Sequence, residues 1–496
     1  MNEYVLIDGQ ADQPADGPFW SRTFLQPVAP GALTTFSDSL ITEIAGGAWF
    51  RYFDRLNFDP TPKTRVVRVY QGRPYVNESI SAELEAQHAG LAPRSIRLNG
   101  SPRAACGWEK PGLLSGLRLG RNARKIGETL ETLEQEIEGI KAQAASWWQR
   151  TRNMRWSQAE ILQIMEEIER VGARTFMPYF AVRRNLEQTY QRLLEMLAGA
   201  GAVEAVALVN QALAGLDGLV EVDMARRVAT LAERAATAPA VATWLQAGEY
   251  GRWQETLPAG DFADGIAAFL ERFGHRAIGE GELSVPRWFE DPTPVFRAIL
   301  ACGARAPSAR TAVAQTRGEQ ALLDAIEGKA RKDARQLLGQ LRRWLVLQSK
   351  AVDVYAYVLS GTRSWALAAG REAMGDGRLT GLDDVFSYQL EEMKQMMTGE
   401  WNISDLPTIH ATAAERKQRL AASQRITPGE LLIGAHEAQR TRPGLPAAPG
   451  SAHGIVATVP GESLDGVALA LAGTQPDSGW AIFLPAAAAL VAAQGH

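Results

Sequence analysis

The densest group of side chains capable of chemistry lies in the stretch Phe269–Phe296, where charges alternate with aromatic residues, proline and glycine. The charged members are Arg272, His275, Arg276, Glu280, Glu282, Arg287, Glu290 and Asp291. Aromatic and glycine neighbours imply close packing, so several of these charges are expected to be partly buried and therefore paired or used in binding. A structural ion-pair network that pins a loop between helices is favoured, because unpaired buried ions are rare. The alternative is a polar cluster that faces a ligand.

His275 is the histidine best placed for chemistry, because Arg276 and Glu280 can fix its tautomer and shift its pKa. A structural role is favoured here too, since ion-pair networks perturb pKa values without catalysis. The other five histidines are scattered along the chain and predict neither a metal site nor a catalytic triad. The sequence contains no GxxxxGK[ST], strand-coupled GxGxxG, HExxH, CxxC or GxSxG pattern. It therefore predicts no nucleotide or metal site in this chain.

Amphipathic helices are predicted on the N-terminal side of this stretch. Apolar residues recur at steps of three and four over Ile126–Ile140, which is typical of a helix with one apolar face. Ser157 and Glu160 form a predicted capping box at the start of a second helix. Pro178 is expected to break or kink that helix.

A long helix is also predicted on the C-terminal side, over Thr311–Ala373, with breaks at Gly328 and Gly361. One flank of it is basic, with Arg331, Lys332, Arg335, Arg342 and Arg343. Such flanks are usually solvated faces, so phosphate binding there is the less favoured interpretation.

Strands are predicted at two places. An irregular arm at about 19–80 contains a hairpin over Thr64–Ser79, around Gln71-Gly72-Arg73-Pro74, and the sheet it forms is expected to be minor. A Pro, Gly and Ala-rich linker follows at 436–453. Beyond it, four short strands are predicted at Gly454–Val459, Val467–Leu471, Trp480–Leu484 and Ala489–Val491.

Length and composition set the class of protein. At 496 residues the chain exceeds what one core usually supports, so two or three domains are expected. The net charge of −4 disfavours nucleic acid and anionic membrane as partners. Two distant cysteines predict a reducing, cytoplasmic location without structural zinc. The N-terminus lacks the pattern of a secretory signal, and no transmembrane helix is predicted.

The segment GHRAIGEGELSVPRWFEDP resembles the central motif of the phosphoenolpyruvate synthase-like antibiotic phosphotransferases, the rifampicin phosphotransferase group. Other segments follow in the order of that family: FWSRTFLQPVAPGALTTFSDSL, GRPYVNES and GREAMGDGRLTGLDDVFSYQLEEM. The turn Thr474–Trp480 is similar to the TDPxW-like turn at the start of the family's swivelling phosphohistidine domain.

The resemblance implies a mainly α fold: a multi-helix acceptor-substrate domain over 1–435 with a small β-hairpin, then the linker, then a partial swivelling β/α module at 454–496. Full-length relatives also carry an ATP-grasp domain and a phosphorylated histidine. Neither has a counterpart in this sequence, and His496 is not expected to be the carrier. No cofactor is therefore expected to bind directly, and ATP and Mg²⁺ are expected to act through a partner chain.

The resemblance also suggests candidate site residues. Where the family tends to carry an Arg-Glu…Lys set for phosphoryl transfer, this chain has Gln348-Ser349-Lys350. The candidate catalytic residues are Lys350, Arg343 and His275, because cations stabilise a transferring phosphoryl group. The candidate substrate-binding residues are Arg276, Glu280, Glu282, Arg287 and Gln348. With the chain placed at the acceptor side, His275 is expected to organise the helical core rather than carry phosphate.

Three hypotheses follow. The first is an acceptor-substrate subunit of a split system, a phosphotransferase-like protein inactive without separate ATP-grasp and phosphohistidine carrier proteins. Its small, largely apolar substrate would lie between helices, in a pocket lined by aromatic residues and a few polar groups. The second is a non-catalytic small-molecule-binding or scaffold protein derived from the same fold. The third is that the sequence is part of a longer enzyme.

Overall fold

The computed structural model describes residues 3–7, 16–61, 65–202, 204–303, 311–401, 403–440, 455–457, 467–471, 477–483 and 490–492. Helices dominate these residues, which confirms the predicted mainly α fold. The α-helices are α1 (Thr35–Arg55), α2 (Glu78–Ala89), α3 (Leu113–Arg152), α4 (Gln158–Gly199), α5 (Ala205–Leu213), α6 (Val220–Thr237), α7 (Pro239–Ala247), α8 (Trp253–Thr256), α9 (Asp261–Phe273), α10 (Thr293–Cys302), α11 (Thr311–Asp324), α12 (Ala330–Gly375), α13 (Leu390–Thr398) and α14 (Leu406–Gln424).

Three long helices form the frame of the molecule: α3, α4 and α12, with 40, 42 and 46 residues. α4 and α12 pack along each other, α3 packs on α12, and α1 packs on α4. The predicted capping box is confirmed, since Ser157 and Glu160 exchange side-chain to backbone hydrogen bonds at the start of α4. Such a cap satisfies N–H groups that have no partner within the helix.

Two predicted helix breaks are wrong. α4 runs without interruption through Pro178, which is buried on that helix, so of the predicted break or kink, the break does not occur. Packing against α1 and α12 outweighs the hydrogen bond that a proline removes. α12 likewise continues through Gly361, where a Cβ would lie 2.3 Å from the indole ring of Trp147. This glycine lets α3 approach α12 closely, whereas the break predicted at Gly328 does separate α11 from α12.

An eight-stranded sheet lies beside the helices, in the order β3-β4-β2-β7-β8-β1-β5-β6. Its strands are β1 (Glu3–Leu6), β2 (Phe19–Ser21), β3 (Val67–Tyr70), β4 (Arg73–Asn77), β5 (Ser95–Leu98), β6 (Ser101–Ala104), β7 (Leu431–Ile433) and β8 (His436–Arg440). All neighbours are antiparallel except β1 and β5.

Two expectations about strands need correction. The predicted hairpin exists as β3 and β4, but it is the edge of a larger sheet, because β2 and β7 bring distant parts of the chain onto it. The linker predicted from residue 436 is wrong at its start, since 436–440 form β8 between β7 and β1. The rest of that predicted linker, 441–453, lies outside the described residues.

Near the C-terminus, β9 (Ile455–Ala457), β10 (Val467–Leu471) and β11 (Leu490–Ala492) form a parallel sheet, as three of the four predicted strands. The remaining strand, predicted at Trp480–Leu484, is wrong, because residues 478–483 form a 3₁₀ helix. Asp477 accepts a hydrogen bond from the N–H of Gly479 at its start, over 3.1 Å. The apolar side chains that follow are buried against the helical part of the molecule.

Two main hydrophobic clusters are built from these elements. The larger joins α1, α3, α4 and α12. The second joins α6, α7, α9 and α10, and includes Ala481, Ile482 and Phe483. Within the described part of the chain, every helix is too short or too polar to serve as a membrane span.

Candidate functional site

The stretch Phe269–Phe296 spans the end of α9, a loop, and the start of α10. Two glycines let this loop pack closely on other backbone. A Cβ at Gly281 would lie 2.2 Å from the carbonyl oxygen of Val28, and a Cβ at Gly274 would lie 2.3 Å from that of Leu270. The loop is therefore held against α9 and the N-terminal arm, as close packing in the sequence predicted.

His275 is buried and lies between aromatic rings. Its ring stacks on Tyr357 with centroids 3.6 Å apart and meets Trp148 edge-on. Its Nε2 lies 3.0 Å from Asp353 Oδ1. Because a carboxylate only accepts, Nε2 carries the ring proton and donates a hydrogen bond to Asp353. Burial lowers the pKa of His275 despite this hydrogen bond. A neutral, buried imidazole in this position supports the predicted role as an organiser of the core.

Asp353 on α12 is the centre of the ion-pair network. Its carboxylate also contacts Lys141 of α3 at 2.6 Å and Arg276 at 3.4 Å. Although burial alone raises the pKa of Asp353, its contacts with His275, Arg276 and Lys141 hold that pKa well below its ordinary value. One carboxylate thus connects the loop, α3 and α12.

Arg276 and Glu280 form a second, fully buried ion pair within the same loop. Burial alone lowers the pKa of Arg276, but Glu280 and Asp353 raise it above its ordinary value. Both side chains of this pair are already engaged with protein groups, so neither presents a free charge to a ligand.

Glu282 caps helix α1 across 248 residues of sequence. Its carboxylate accepts hydrogen bonds from the N–H and hydroxyl of Thr34 and from the hydroxyl of Ser37, at 2.7–2.9 Å. A carboxylate at this position is favoured by the positive end of the helix dipole. Glu282 therefore fastens the loop to α1.

Arg287 is buried without a carboxylate partner among the described residues. Its Nη2 donates to the backbone oxygen of Glu280 at 2.9 Å, and its Nη1 makes longer contacts with the carbonyls of Glu282 and Val285. Burial, with the nearby Arg363 charge, lowers the pKa of Arg287 to about 10.

Five of the predicted site residues thus lie together in this loop: His275, Arg276, Glu280, Glu282 and Arg287. Their side chains bind protein groups and form a packed structural network.

The segment 477–483 docks on this loop. Asp477 accepts hydrogen bonds from the N–H groups of Gly279 and Glu280, the latter at 2.9 Å. Ser478 accepts a hydrogen bond from Arg276 Nη2 at 2.5 Å and donates one to Glu280 at 3.2 Å.

The docked segment also fits closely against the loop. At Gly479, a Cβ would lie 1.9 Å from the carbonyl oxygen of Ala277, so only glycine fits. Burial, with the adjacent Glu280 carboxylate, raises the pKa of Asp477 to about 7.

The predicted catalytic cations Arg343 and Lys350 lie on α12, where each faces an acid of α3. Lys350 Nζ is 2.9 Å from Glu138, and Arg343 pairs with Glu134. These pairs are partly exposed, and their charges are balanced across the α3–α12 contact. Lys350 precedes Asp353 by one helical turn, which brings it near the network of His275, while Arg343 lies about two turns further away.

The predicted substrate-binding Gln348 is also on α12, and its Oε1 is buried without a hydrogen bond among the described residues. The neighbouring Ser349 accepts a hydrogen bond from Val220 N at 2.8 Å and donates one to Glu221. Ser349 therefore fixes the start of α6. Its position in the Gln348-Ser349-Lys350 segment thus has a structural role.

An open cleft of about 720 Å³ lies between α1, α3 and α4. Four arginines contribute to it, Arg51, Arg55, Arg170 and Arg174, along with Asp54, Glu136 and glutamines. Most residues that line this cleft are polar or charged and none is aromatic, so it is not the aromatic-lined pocket that the sequence predicts. α3 joins the cleft to the network, because Ile140 and Gln143 line the cleft while Lys141 pairs with Asp353.

Sequence reasoning missed the residues that complete the network. Asp353 is a single acid within the apolar run Ala351–Leu359, and a lone charge in a buried helix predicts a partner. Arg363 is similar: it is 8% exposed at its side chain and pairs with Glu290 at 2.8 Å. No local signal links either residue to the loop, because the contacts span more than 70 positions.

A family model described as the rifampicin phosphotransferase fourth domain matches residues 175–349. The matched range runs from the middle of α4 to the middle of α12 and contains the whole loop. It confirms, for this part of the chain, the predicted relation to phosphoenolpyruvate synthase and rifampicin phosphotransferase-like proteins. No curated protein matches the chain.

Proposed function

We propose that this chain is the acceptor-substrate-binding subunit of a rifampicin phosphotransferase-like system, acting in the cytoplasm with separate ATP-grasp and phosphohistidine carrier proteins. It would support phosphoryl transfer to a small organic substrate, or a ligation driven by that transfer. ATP and Mg²⁺ would bind to the ATP-grasp partner and not to this chain.

The observation that carries the proposal is the docking of residues 477–483 on the loop between α9 and α10. The turn at 474–480 resembles the start of the swivelling carrier domain, and the loop lies within the segment that matches the family model. Phosphoryl transfer depends mainly on positioning and on electrostatic stabilisation of the transferring group. A packed, hydrogen-bonded contact between the acceptor domain and a carrier-like segment supports such positioning.

The cleft between α1, α3 and α4 is the candidate place for the acceptor substrate. Its volume of about 720 Å³ lies within the usual range for small-molecule sites. It shares α3 with the network around Asp353, so a substrate bound there would contact the helix that carries Lys141.

A non-catalytic small-molecule-binding or scaffold protein is the second candidate. It is favoured by the burial of His275, which is 1% exposed, and by the pairing of Arg343 and Lys350 with glutamates of α3. Cations engaged in this way contribute little to the stabilisation of a phosphoryl group unless their partners are displaced.

Reconstitution separates the two candidates. The purified chain is mixed with ATP-grasp and carrier proteins of the same organism, labelled ATP, and rifampicin or other small hydroxylated compounds. Label in the small molecule only when all three proteins are present supports the split system. ATP hydrolysis by this chain alone would contradict it, and saturable binding without any transfer would favour the non-catalytic alternative.

A variant pair tests the role of Lys350 in the same assay. If Lys350 acts on the phosphoryl group, Lys350→Ala should lower the transfer rate by about 100-fold or more, because one charge-stabilising group is worth several kcal/mol in such sites. Lys332→Ala removes an exposed lysine of the same helix and should leave the rate within about twofold. Equal rates for both variants would exclude a catalytic Lys350.

A further inference from the structure

The cleft between α1, α3 and α4 carries two pairs of arginines on two packed helices. Arg51 and Arg55 are four residues apart on α1, and Arg170 and Arg174 are four residues apart on α4. Residues at this spacing lie on the same face of a helix. All four line one cavity, so each helix presents two positive charges to it.

The positive charge of this cleft is only partly balanced. The lining has four arginines against two carboxylates, Asp54 and Glu136, which leaves a formal charge of plus two. Arg55 pairs with Glu136 at 2.9 Å, whereas Arg51, Arg170 and Arg174 make no ion pair among the described residues. The protein as a whole carries −4, so this local excess runs against its overall charge.

Such an arrangement of like charges lowers the stability of the helices when no anion is bound. Like charges four residues apart on a helix repel each other and destabilise it. Two neighbouring acids of α4 are engaged with other cations, since Glu167 pairs with Arg150 and Glu169 pairs with Lys394. A bound anion would remove the repulsion in the cleft.

The floor of the cleft is apolar. Ile140, Val171 and Met177 contribute to its lining. An adjoining cavity of about 270 Å³ shares Ile140 and Val171 and extends to Trp147. A ligand that fits both parts has an anionic group near the arginines and an apolar body along this floor.

We propose that this cleft binds a small organic oxyanion, a phosphate monoester or carboxylate with an apolar body, whose anionic group is held by Arg51, Arg170 and Arg174. Guanidinium groups suit this ligand because they form paired, charge-assisted hydrogen bonds with phosphate and carboxylate oxygens. As the substrate class of the acceptor site, the inference rests on the proposed function, but the binding itself needs no partner protein.

Calorimetric titration of the purified chain tests the proposal. The probes are phenyl phosphate and benzoate, with benzyl alcohol as the neutral counterpart, in a buffer without phosphate. At least one anion should bind saturably and at least tenfold more tightly than benzyl alcohol, and its affinity should fall as salt is added. The two anions together distinguish a phosphate ligand from a carboxylate ligand.

A matched pair of double variants places the binding in the cleft. Arg170→Ala with Arg174→Ala should weaken the bound anion at least tenfold. Arg118→Ala with Arg121→Ala removes the same charge from an exposed face of α3 and should change the affinity by less than twofold. Circular dichroism of both proteins checks that the helices are intact.

Equal weakening by both double variants would overturn the proposal, because it would show a general charge effect. Absence of saturable anion binding, or equal binding of benzyl alcohol, would also overturn it. These outcomes are distinct from failure of the proposed function, since phosphoryl transfer to a neutral acceptor by the reconstituted system would leave that function standing.

Discussion

His275 donates a hydrogen bond to Asp353 across 3.0 Å, and this bond ties the loop between α9 and α10 to helix α12. Asp353 holds Lys141 of α3 with its other oxygen. The histidine that the sequence marks as most suited to chemistry is thus used to join three elements. Its chemistry is that of a buried, neutral hydrogen-bond donor.

Replacement of His275 by alanine is expected to lower the free energy of unfolding by about 2–4 kcal/mol. The change removes a hydrogen bond to a buried carboxylate and leaves a cavity against Tyr357 and Trp148. Urea unfolding followed by circular dichroism measures it. His410→Ala, at a partly exposed histidine of α14, should cost less than about 0.5 kcal/mol. A His275 variant of unchanged stability that has lost ligand binding would contradict the structural role.

Arg287→Ala is expected to destabilise the protein by about 2–4 kcal/mol. The guanidinium is buried and donates to the backbone oxygens of the loop, so its removal leaves carbonyl groups without a donor and opens a cavity. Arg297→Ala provides the control, because that arginine is exposed on the neighbouring helix α10. The same urea titration measures both, and a similar small effect for the two variants would show that Arg287 has no structural importance.

How much of this site can be predicted from sequence depends on the range of each contact. The capping box at Ser157 is local, and both of its residues lie within four positions of each other. The density of charges in Phe269–Phe296 correctly indicates a buried network for the same reason. Asp353 could not be assigned to it, because nothing within a helical turn of that acid points to His275, 78 positions away.

The two wrong helix breaks have the same origin. Intrinsic propensity describes proline and glycine in an isolated helix, whereas Pro178 and Gly361 lie in helices held by neighbours on several sides. At Gly361 the neighbour, Trp147, is more than 200 positions away in sequence. The arginines of the cleft likewise belong to helices far apart in the chain, and only the fold brings them together.

Gly361→Ala and Gly339→Ala should have opposite effects, although both lie in α12. A Cβ at Gly361 would clash with Trp147 and Thr151, so overpacking is expected to cost about 1–3 kcal/mol. At Gly339 nothing lies within 4 Å of the added Cβ, and alanine should stabilise the helix by about 0.5–1 kcal/mol. Thermal unfolding of the two variants measures the difference, and stabilisation by both would contradict the close α3–α12 contact.

Asp477→Asn is expected to stabilise the protein at pH 8 and to have a smaller effect at pH 5. The pKa of Asp477 is raised to about 7 by burial and by Glu280, above its ordinary value of 3.8. The folded state therefore binds more protons than the unfolded state between these values, so stability of the wild type falls as pH rises from about 4 to 7 and is level above. Asparagine can still accept from the N–H groups of Gly279 and Glu280, without the charge.

The expected gain at pH 8 is between about 1 and 4 kcal/mol, the upper figure being the full shift converted to free energy. Urea unfolding at pH 5 and pH 8 measures it as the difference between variant and wild type. Asp264→Asn, at an exposed carboxylate of α9, controls for a general effect of removing one negative charge. A difference of equal size at both pH values would contradict the raised pKa of Asp477.

Gly479→Ala is expected to release the segment 477–483 from the helical part of the molecule while α9 and α10 stay folded. The added Cβ would lie 1.9 Å from the carbonyl oxygen of Ala277 and 3.0 Å from the Cα of Ile278, which are backbone atoms and cannot move aside cheaply. Hydrogen exchange measures the result, because release exposes the N–H groups of Gly279 and Glu280 that Asp477 now binds.

The matched control for this release is Gly251→Ala, since no atom lies within 4 Å of the Cβ it would add and its backbone conformation suits alanine. Exchange at 279–280 should rise at least tenfold in Gly479→Ala and stay within twofold of the wild type in Gly251→Ala. Unchanged exchange in Gly479→Ala would mean that the segment does not dock as described. In the reconstituted system, lost transfer in Gly479→Ala alone would show that the docked segment takes part in positioning the carrier.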